Sequence, residues 1–330
     1  MSGRASRSQV ARALLDGARG ASWASVSRAA YWGLLPKCVP EGAPERGAWA
    51  DIRIELPTEY EADDAGWFMR SIERGLGELA TVGRAPIPQR GLGMAIARAR
   101  RGERALSFAI DFFDEPVVDA EVAAEVDLYF KLQYLREGYE QDNVVPGGYV
   151  QPRSEPHDRY CRLRKYGAKH SGDRVYGRFG AAYGEGPRRH AVELLEGRRA
   201  LGYRGGMGIV PYVQSLQEAA AADVCVDLPG RGPFCYRLVD YFSVGACVVA
   251  APHPTRMPVE LEDRRNIVYA REDLSDLPDL CEWLLEDEAA RKRIGAEAGA
   301  YFDRHLHYLP LAGVYLGSIA AALDGSAVAQ

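Results

Sequence analysis

The sequence is short of the features that would name a chemistry outright. Its 330 residues hold six cysteines, at 38, 161, 225, 235, 247 and 281, with no Cys-x-x-Cys pair. That spacing offers neither a zinc ribbon nor a disulfide framework. Cys225 and Cys247 fall in apolar runs and read as small buried hydrophobes. No run of 18 apolar residues occurs, which argues against a membrane-spanning helix. The six histidines form no His-Glu-x-x-His motif, and neither a Walker loop nor a Gly-x-Ser-x-Gly elbow is present. A formal net charge of −5 gives no reason to expect nucleic acid or an anionic membrane as a bulk partner. No short internal repeat is visible.

What is there fits a globular chain, with 47% hydrophobic and 26% charged residues and a length that suits two domains. Residues 1–45 are rich in Ala, Arg and Ser. Ser8 to Ala18 and Ser22 to Leu35 read as two helices, before a linker marked by Pro36, Pro40 and Pro44. A presequence or a membrane-surface helix pair would look similar, and a plain helical extension is the reading adopted. A first α/β domain is expected over 46–155. Its strands are Ala50 to Leu56, Leu106 to Ile110 and Val126 to Leu132, with a helix from Trp67 to Leu79. The polar, basic stretch 151–172 reads as the passage between domains. A second α/β domain is expected over 156–310, with a helix and tail over 311–330.

The second half runs Arg174 to Gly180 (strand), Arg188 to Leu195 (helix), Ala200 to Tyr203 (short strand) and Pro211 to Ala222 (helix). After it come the strand Asn266 to Ala270 and helices Leu277 to Leu285, Asp287 to Leu306 and Pro310 to Leu323. This alternation implies a parallel, doubly wound sheet. The stretch that organises the half is 227–252. Pro229-Gly230-Arg231-Gly232-Pro233 can continue neither strand nor helix. Phe234 to Val244 then has helical apolar spacing, Gly245 ends the helix, and Ala246 to Ala251 is a buried strand. A glycine-rich turn into a helix N-terminus is a place for phosphate, because free N–H groups and the helix dipole point there. Arg231 and Arg237 add cationic donors, and Asp240 could accept from sugar hydroxyls. The plain alternative is an ordinary βαβ unit with solvated arginines, or an Arg237–Asp240 pair.

Leu238 to Val249, with Asp240, a glycine five positions on at 245 and then an apolar strand, resembles the nucleotide-sugar signature of GT-B glycosyltransferases. Arg237, three residues before Asp240, brings the stretch nearer the exostosin-like branch. The retaining branch carries a glutamate eight residues before the acid, where this chain has Gly232. The likeness covers roughly 174–306. It implies an α/β fold of two Rossmann-like domains around a cleft, with a nucleoside diphosphate sugar as co-substrate and no further cofactor. No Asp-x-Asp triplet occurs in the chain, so the resemblance implies a metal-independent transferase.

The donor diphosphate then falls to Arg178, Arg231 and Arg237, the close backbone approach to Gly230 and Gly232, and the ribose to Asp240. Tyr236 could stack on base or sugar, and Tyr212 stands where the nucleobase is met. For the general base, Asp111 and Asp114 sit at the end of a strand, where open α/β sheets place ligands; Asp111 is preferred. Glu59 and Asp63 are rivals. Lys131 faces the cleft or snorkels at a strand end. His253 lies near the donor edge, and His305 and His307 read as partners of a helix C-terminus. A nucleotide-sugar epimerase or a non-catalytic binder on the same fold are the alternatives. The acceptor is left open, as is homo-oligomerisation, and the expected location is cytoplasmic.

Overall fold

The computed structural model describes residues 39–326, apart from 41, 62, 92, 150, 153–162, 165–173 and 182–183. The two helices expected before residue 36 and most of the passage at 151–172 lie outside the described residues. Two sheets form the frame, as the expected α/β architecture requires.

The first sheet is mixed. Its strands are β1 (Trp49–Pro57), β2 (Ala80–Ala85), β3 (Met94–Arg101), β4 (Arg104–Asp111), β5 (Leu128–Lys131) and β6 (Val144–Pro146), in the order β2-β1-β3-β4-β5-β6. Helix α1 (Asp63–Leu79) crosses between the parallel pair β1 and β2. β3 runs antiparallel to both β1 and β4, a departure from a purely parallel Rossmann sheet. The short helix α2 (Ala120–Glu125) is capped by Asp119, whose carboxylate accepts from the N–H groups of Glu121 and Val122.

The second sheet is fully parallel. It contains β7 (Val175–Phe179), β8 (Tyr203–Met207), β9 (Val224–Asp227), β10 (Cys247–Ala250) and β11 (Val268–Tyr269), in the order β11-β10-β9-β7-β8. The chain starts in the middle, steps outward to β8, then returns past β7 to β9. The point between β7 and β9 is therefore a topological switch, where ligands bind in open α/β sheets. Helices α3 (Glu185–Gly197), α4 (Tyr212–Ala221) and α5 (Tyr236–Ser243) make the crossovers.

Two expectations shift here. The segment expected as a strand at 200–203 is instead a 3₁₀ turn, Arg199–Leu201, closed by Gly202 at φ 54° and followed by β8. Helix α5 begins at Tyr236 rather than Phe234, because Cys235 keeps an extended backbone at φ −117°, ψ 144°. Its far end is as expected: Gly245 sits at φ 68°, and Ala246 N–H donates to Tyr241 while Gly245 N–H donates to Phe242, the paired bonds of a Schellman stop.

Helices α6 (Leu277–Glu286) and α7 (Glu288–Tyr301) cover the second sheet, and a π-helical turn over Phe302–Leu306 leads to α8 (Tyr308–Leu323). α8 leaves the second half and packs on α1 of the first. Gly75 makes that approach possible, since a Cβ there would lie 2.4 Å from the Tyr308 carbonyl oxygen. Tyr315 then meets the Phe130 ring at 4.7 Å and donates to the Gly147 carbonyl at 2.6 Å. His307, expected at a helix C-terminus, instead caps the start of α8 by accepting from Leu309 N–H. No single helix among the described residues is long and apolar enough to cross a membrane.

Candidate functional site

At the switch point, the C-terminal ends of β7, β8 and β9 face the β4 end of the first sheet across a cavity of about 500 Å³. Arg178, Tyr212, Gly230, Arg231, Gly232, Tyr236, Arg237 and Asp240 all line it, and so does Asp114 from the first half. The other carboxylate named from the sequence, Asp111, is not part of the lining.

Three helices begin at this cavity, α3, α4 and α5. Their free N–H groups and dipoles give a positive end to each. The guanidinium of Arg188, in the first turn of α3, is buried and fixed by two backbone carbonyls. Nε donates to Pro229 at 2.9 Å and Nη1 to Gly180 at 2.8 Å. Its Nη2 lies beside Gly230, 3.2 Å from where a Cβ would stand. The glycine thus makes room for the arginine. Burial, and then the neighbouring Arg237, hold Arg188 below the usual arginine range, against the pull of Cys235 and Asp227.

Arg237, in the first turn of α5, donates through Nε to Asp227 at 2.8 Å and through Nη2 to the Leu228 carbonyl, and lies 4.9 Å over the Phe179 ring. Burial would lower this guanidinium, but the Asp227 carboxylate more than offsets it, so Arg237 sits above the usual range. The expected rival, a pair between Arg237 and Asp240, does not form. Asp240 is buried and accepts instead from Gln151 Nε2 at 2.7 Å and from the Tyr212 hydroxyl at 2.8 Å. Arg178 is bound to Glu218 at 3.3 Å, and its buried Nε has no hydrogen-bond partner. Arg231 reaches across to Glu115 at 3.1 Å and stacks 5.4 Å over Phe113. Tyr236 is 46% exposed and Ile209, at the rim, 88%.

The first-half wall carries Trp67 from α1 and Asp114. Burial raises the Asp114 carboxyl above its usual range, against the pull of Arg231, Lys131 and the nearby Tyr149 hydroxyl. Asp111, one turn behind, is closed off. Its Oδ2 accepts from Lys131 Nζ at 2.9 Å and from the Tyr129 hydroxyl at 2.6 Å, and Oδ1 accepts from Phe113 N–H at 2.7 Å. Lys131 is fully buried in that pair and neither faces the cleft nor snorkels. Glu59 is exposed and does not line the cavity. His253 packs against Phe234 at 5.2 Å outside the lining, and burial holds it down to about 4.

Sequence reasoning gave no site role to Trp67 or Gln151, and it marked 177–189 as a second strand–loop–helix place for phosphate without singling out Arg188. Arg188 gave one local signal, its place at the start of a helix after a glycine-rich loop. Its fixation depends on Pro229, 41 residues away.

Two α/β sheets thus face one another across this cleft, the two-domain plan expected from the sequence. No protein-family model matches the chain, and no curated protein matches it by sequence. Among solved structures it is similar to a glycosyltransferase from Rickettsia africae ESF-5, at 12% identity over 63% of this chain and 68% of that one, with a TM-score of 0.40. It is similar to HepE of Anabaena in complex with UDP-glucose, at 13% identity over 82% of this chain and 100% of that one, with a TM-score of 0.40. It is also similar to a UDP-N-acetylglucosamine 2-epimerase, at 13% identity over 78% of this chain and 69% of that one, with a TM-score of 0.34.

Proposed function

We propose that the cavity holds a nucleoside diphosphate sugar, and that the chain is a glycosyltransferase which moves the sugar to an acceptor hydroxyl. The observation that carries this reading is the meeting of Arg188, Arg237 and the start of α5 at the switch point of a parallel sheet. A diphosphate placed there meets two guanidiniums and the open N–H groups of a helix end.

In the proposed reaction, Asp114 takes the proton of the acceptor hydroxyl as its oxygen attacks the anomeric carbon. The bond from that carbon to the β-phosphate oxygen breaks, and the electron pair leaves with the nucleoside diphosphate. Arg188 and Arg237 stabilise the charge that develops on the leaving group, with no divalent ion assigned to that task. A carboxyl raised by burial suits a base near neutral pH. Asp240, held by Gln151 and Tyr212, offers its carboxylate to the sugar or ribose hydroxyls. Tyr236 is exposed enough to stack on a ring.

Thermal-shift titration with UDP, GDP, CDP and dTDP should raise the melting temperature with at least one of them, since a ligand of the folded state stabilises it. Incubation with the matching nucleotide sugars should then release free nucleotide. A chain that binds none of the four refutes the reading. Binding followed by epimerisation without nucleotide release would move it to the epimerase alternative.

A further inference from the structure

We propose that Gln133, a residue of the first half, positions the phosphate-facing end of α5. This rests on the donor site assigned above and adds the element that sets its geometry.

Gln133 is 1% exposed. Its side-chain amide clasps the backbone of Phe234 on both sides: Nε2 donates to the Phe234 carbonyl at 2.8 Å, and Phe234 N–H donates to Oε1 at 3.2 Å. Thr255 Oγ1 also donates to Oε1, at 3.0 Å, which orients the amide. The clasp imitates a rung of β-ladder across the junction of the two halves. Phe234 is the residue before Cys235, the N-cap of α5, whose side chain makes no capping bond to the helix N–H groups and donates instead to the Leu228 carbonyl at 3.8 Å. Cys235 and Arg237 tie the helix start to the end of β9, and the Gln133 clasp ties the residue before the cap to the first half.

Two further contacts close the same joint. A Cβ at Gly232 would lie 2.5 Å from both the Asp114 carbonyl oxygen and Gln133 Nε2, so only glycine lets the loop sit against the first half. The Phe234 ring packs 5.0 Å from Tyr149 and 5.2 Å from His253. The glycine-rich loop is thus spent on a contact between halves as well as on the cavity wall. The donor end is assembled before any ligand arrives, and hinge opening at this point would break three buried hydrogen bonds.

The test compares the wild-type chain with Gln133→Met, which keeps length and bulk and removes both bonds to Phe234 together with the one from Thr255. Hydrogen exchange on the ligand-free proteins reads the clasp. Amides of 233–238 should be protected in the wild type and at least tenfold faster in the variant, with the first-sheet strands unchanged. Calorimetry with inorganic pyrophosphate and with UDP, GDP, CDP and dTDP reads the positioning. Pyrophosphate and the bound nucleoside diphosphate should weaken at least tenfold, while the free nucleoside, which does not use the phosphate end, stays within threefold. General loosening would weaken all three together and overturn the proposal. So would unchanged exchange at 233–238, or unchanged pyrophosphate affinity despite faster exchange. A wild type that binds no diphosphate refutes the proposed function and the phosphate role of Gln133 with it, and the exchange result still shows whether the clasp exists.

Discussion

Replacing Arg188 by methionine tests the anion site at a moderate cost to the stability of the fold. Methionine keeps an apolar stem of similar reach and deletes the guanidinium. Within the protein, two hydrogen bonds disappear, to Gly180 and Pro229. Both carbonyls belong to half-buried residues at the edge of the cavity, where water can replace the donor, so the fold should lose about 1–3 kcal/mol. The diphosphate loses a charge-assisted bond worth about 1.5–3 kcal/mol. At 1.4 kcal/mol per factor of ten, that weakens binding roughly 10- to 150-fold.

Arg237 is the less informative target. It neutralises the buried Asp227, and removing it strands a carboxylate at a cost of about 3–5 kcal/mol. A loss of binding could then come from a loosened fold. Isothermal titration of the nucleoside diphosphate at fixed salt, on variant protein with an unchanged circular dichroism spectrum, measures the Arg188 effect. An Arg188→Met protein that is folded and binds within twofold of the wild type would refute the placement of the phosphates.

Asp114→Asn should lower turnover about 10²–10⁴-fold with little change in nucleotide affinity. Because burial raises Asp114, the acid limb of the wild-type rate profile should lie above the usual carboxylate range, with activity lost as pH falls through it; a flat profile down to pH 4 would sink Asp114 as the base. Lys131→Met should cost about 3–5 kcal/mol in urea unfolding by stranding Asp111. The double variant Asp111→Leu with Lys131→Met should recover only part of that, because the Tyr129 hydroxyl and the Phe113 N–H both lose their acceptor, at about 1–3 kcal/mol each. His253 is held down to about 4 when folded and titrates near 6.5 when unfolded, so the unfolded chain gains the proton first. Its contribution is therefore fully present above pH 6.5 and declines by up to about 3 kcal/mol as pH falls toward 4; His253→Phe should flatten that part of the stability curve.

Much of the second half was legible because its signals are local. The uninterrupted apolar run at 246–251 is a strand buried on both faces, and Gly245 stops the preceding helix in the left-handed conformation. The strands that escaped notice lack such signals. β3, Met94–Arg101, buries Ala95, Ala97 and Ala99 and turns Arg98 and Arg100 outward, so its apolar face consists largely of alanine. β8 contains Gly205 because a Cβ there would lie 1.8 Å from the Gly177 carbonyl, a requirement set by its neighbour strand. The site divides in the same way. Arg237 and Asp240 stand out by spacing on one helix, while their partners Asp227, Gln151 and Tyr212 come from elsewhere. Asp111 and Asp114 look alike in the sequence; only the buried lysine one strand over separates the enclosed carboxylate from the one that meets the cavity.

The return of α8 to the first sheet has a consequence for how the chain is made. Domains generally fold as units, from the N-terminus, during synthesis. Here the apolar faces of α1 and β5 stay bare until residues 308–323 have been translated, after the whole second half. The earlier-born half is the later one to finish. A chain cut short before Tyr308 would hold a complete parallel sheet beside a half that lacks one of its covering helices, and that half is where aggregation should begin.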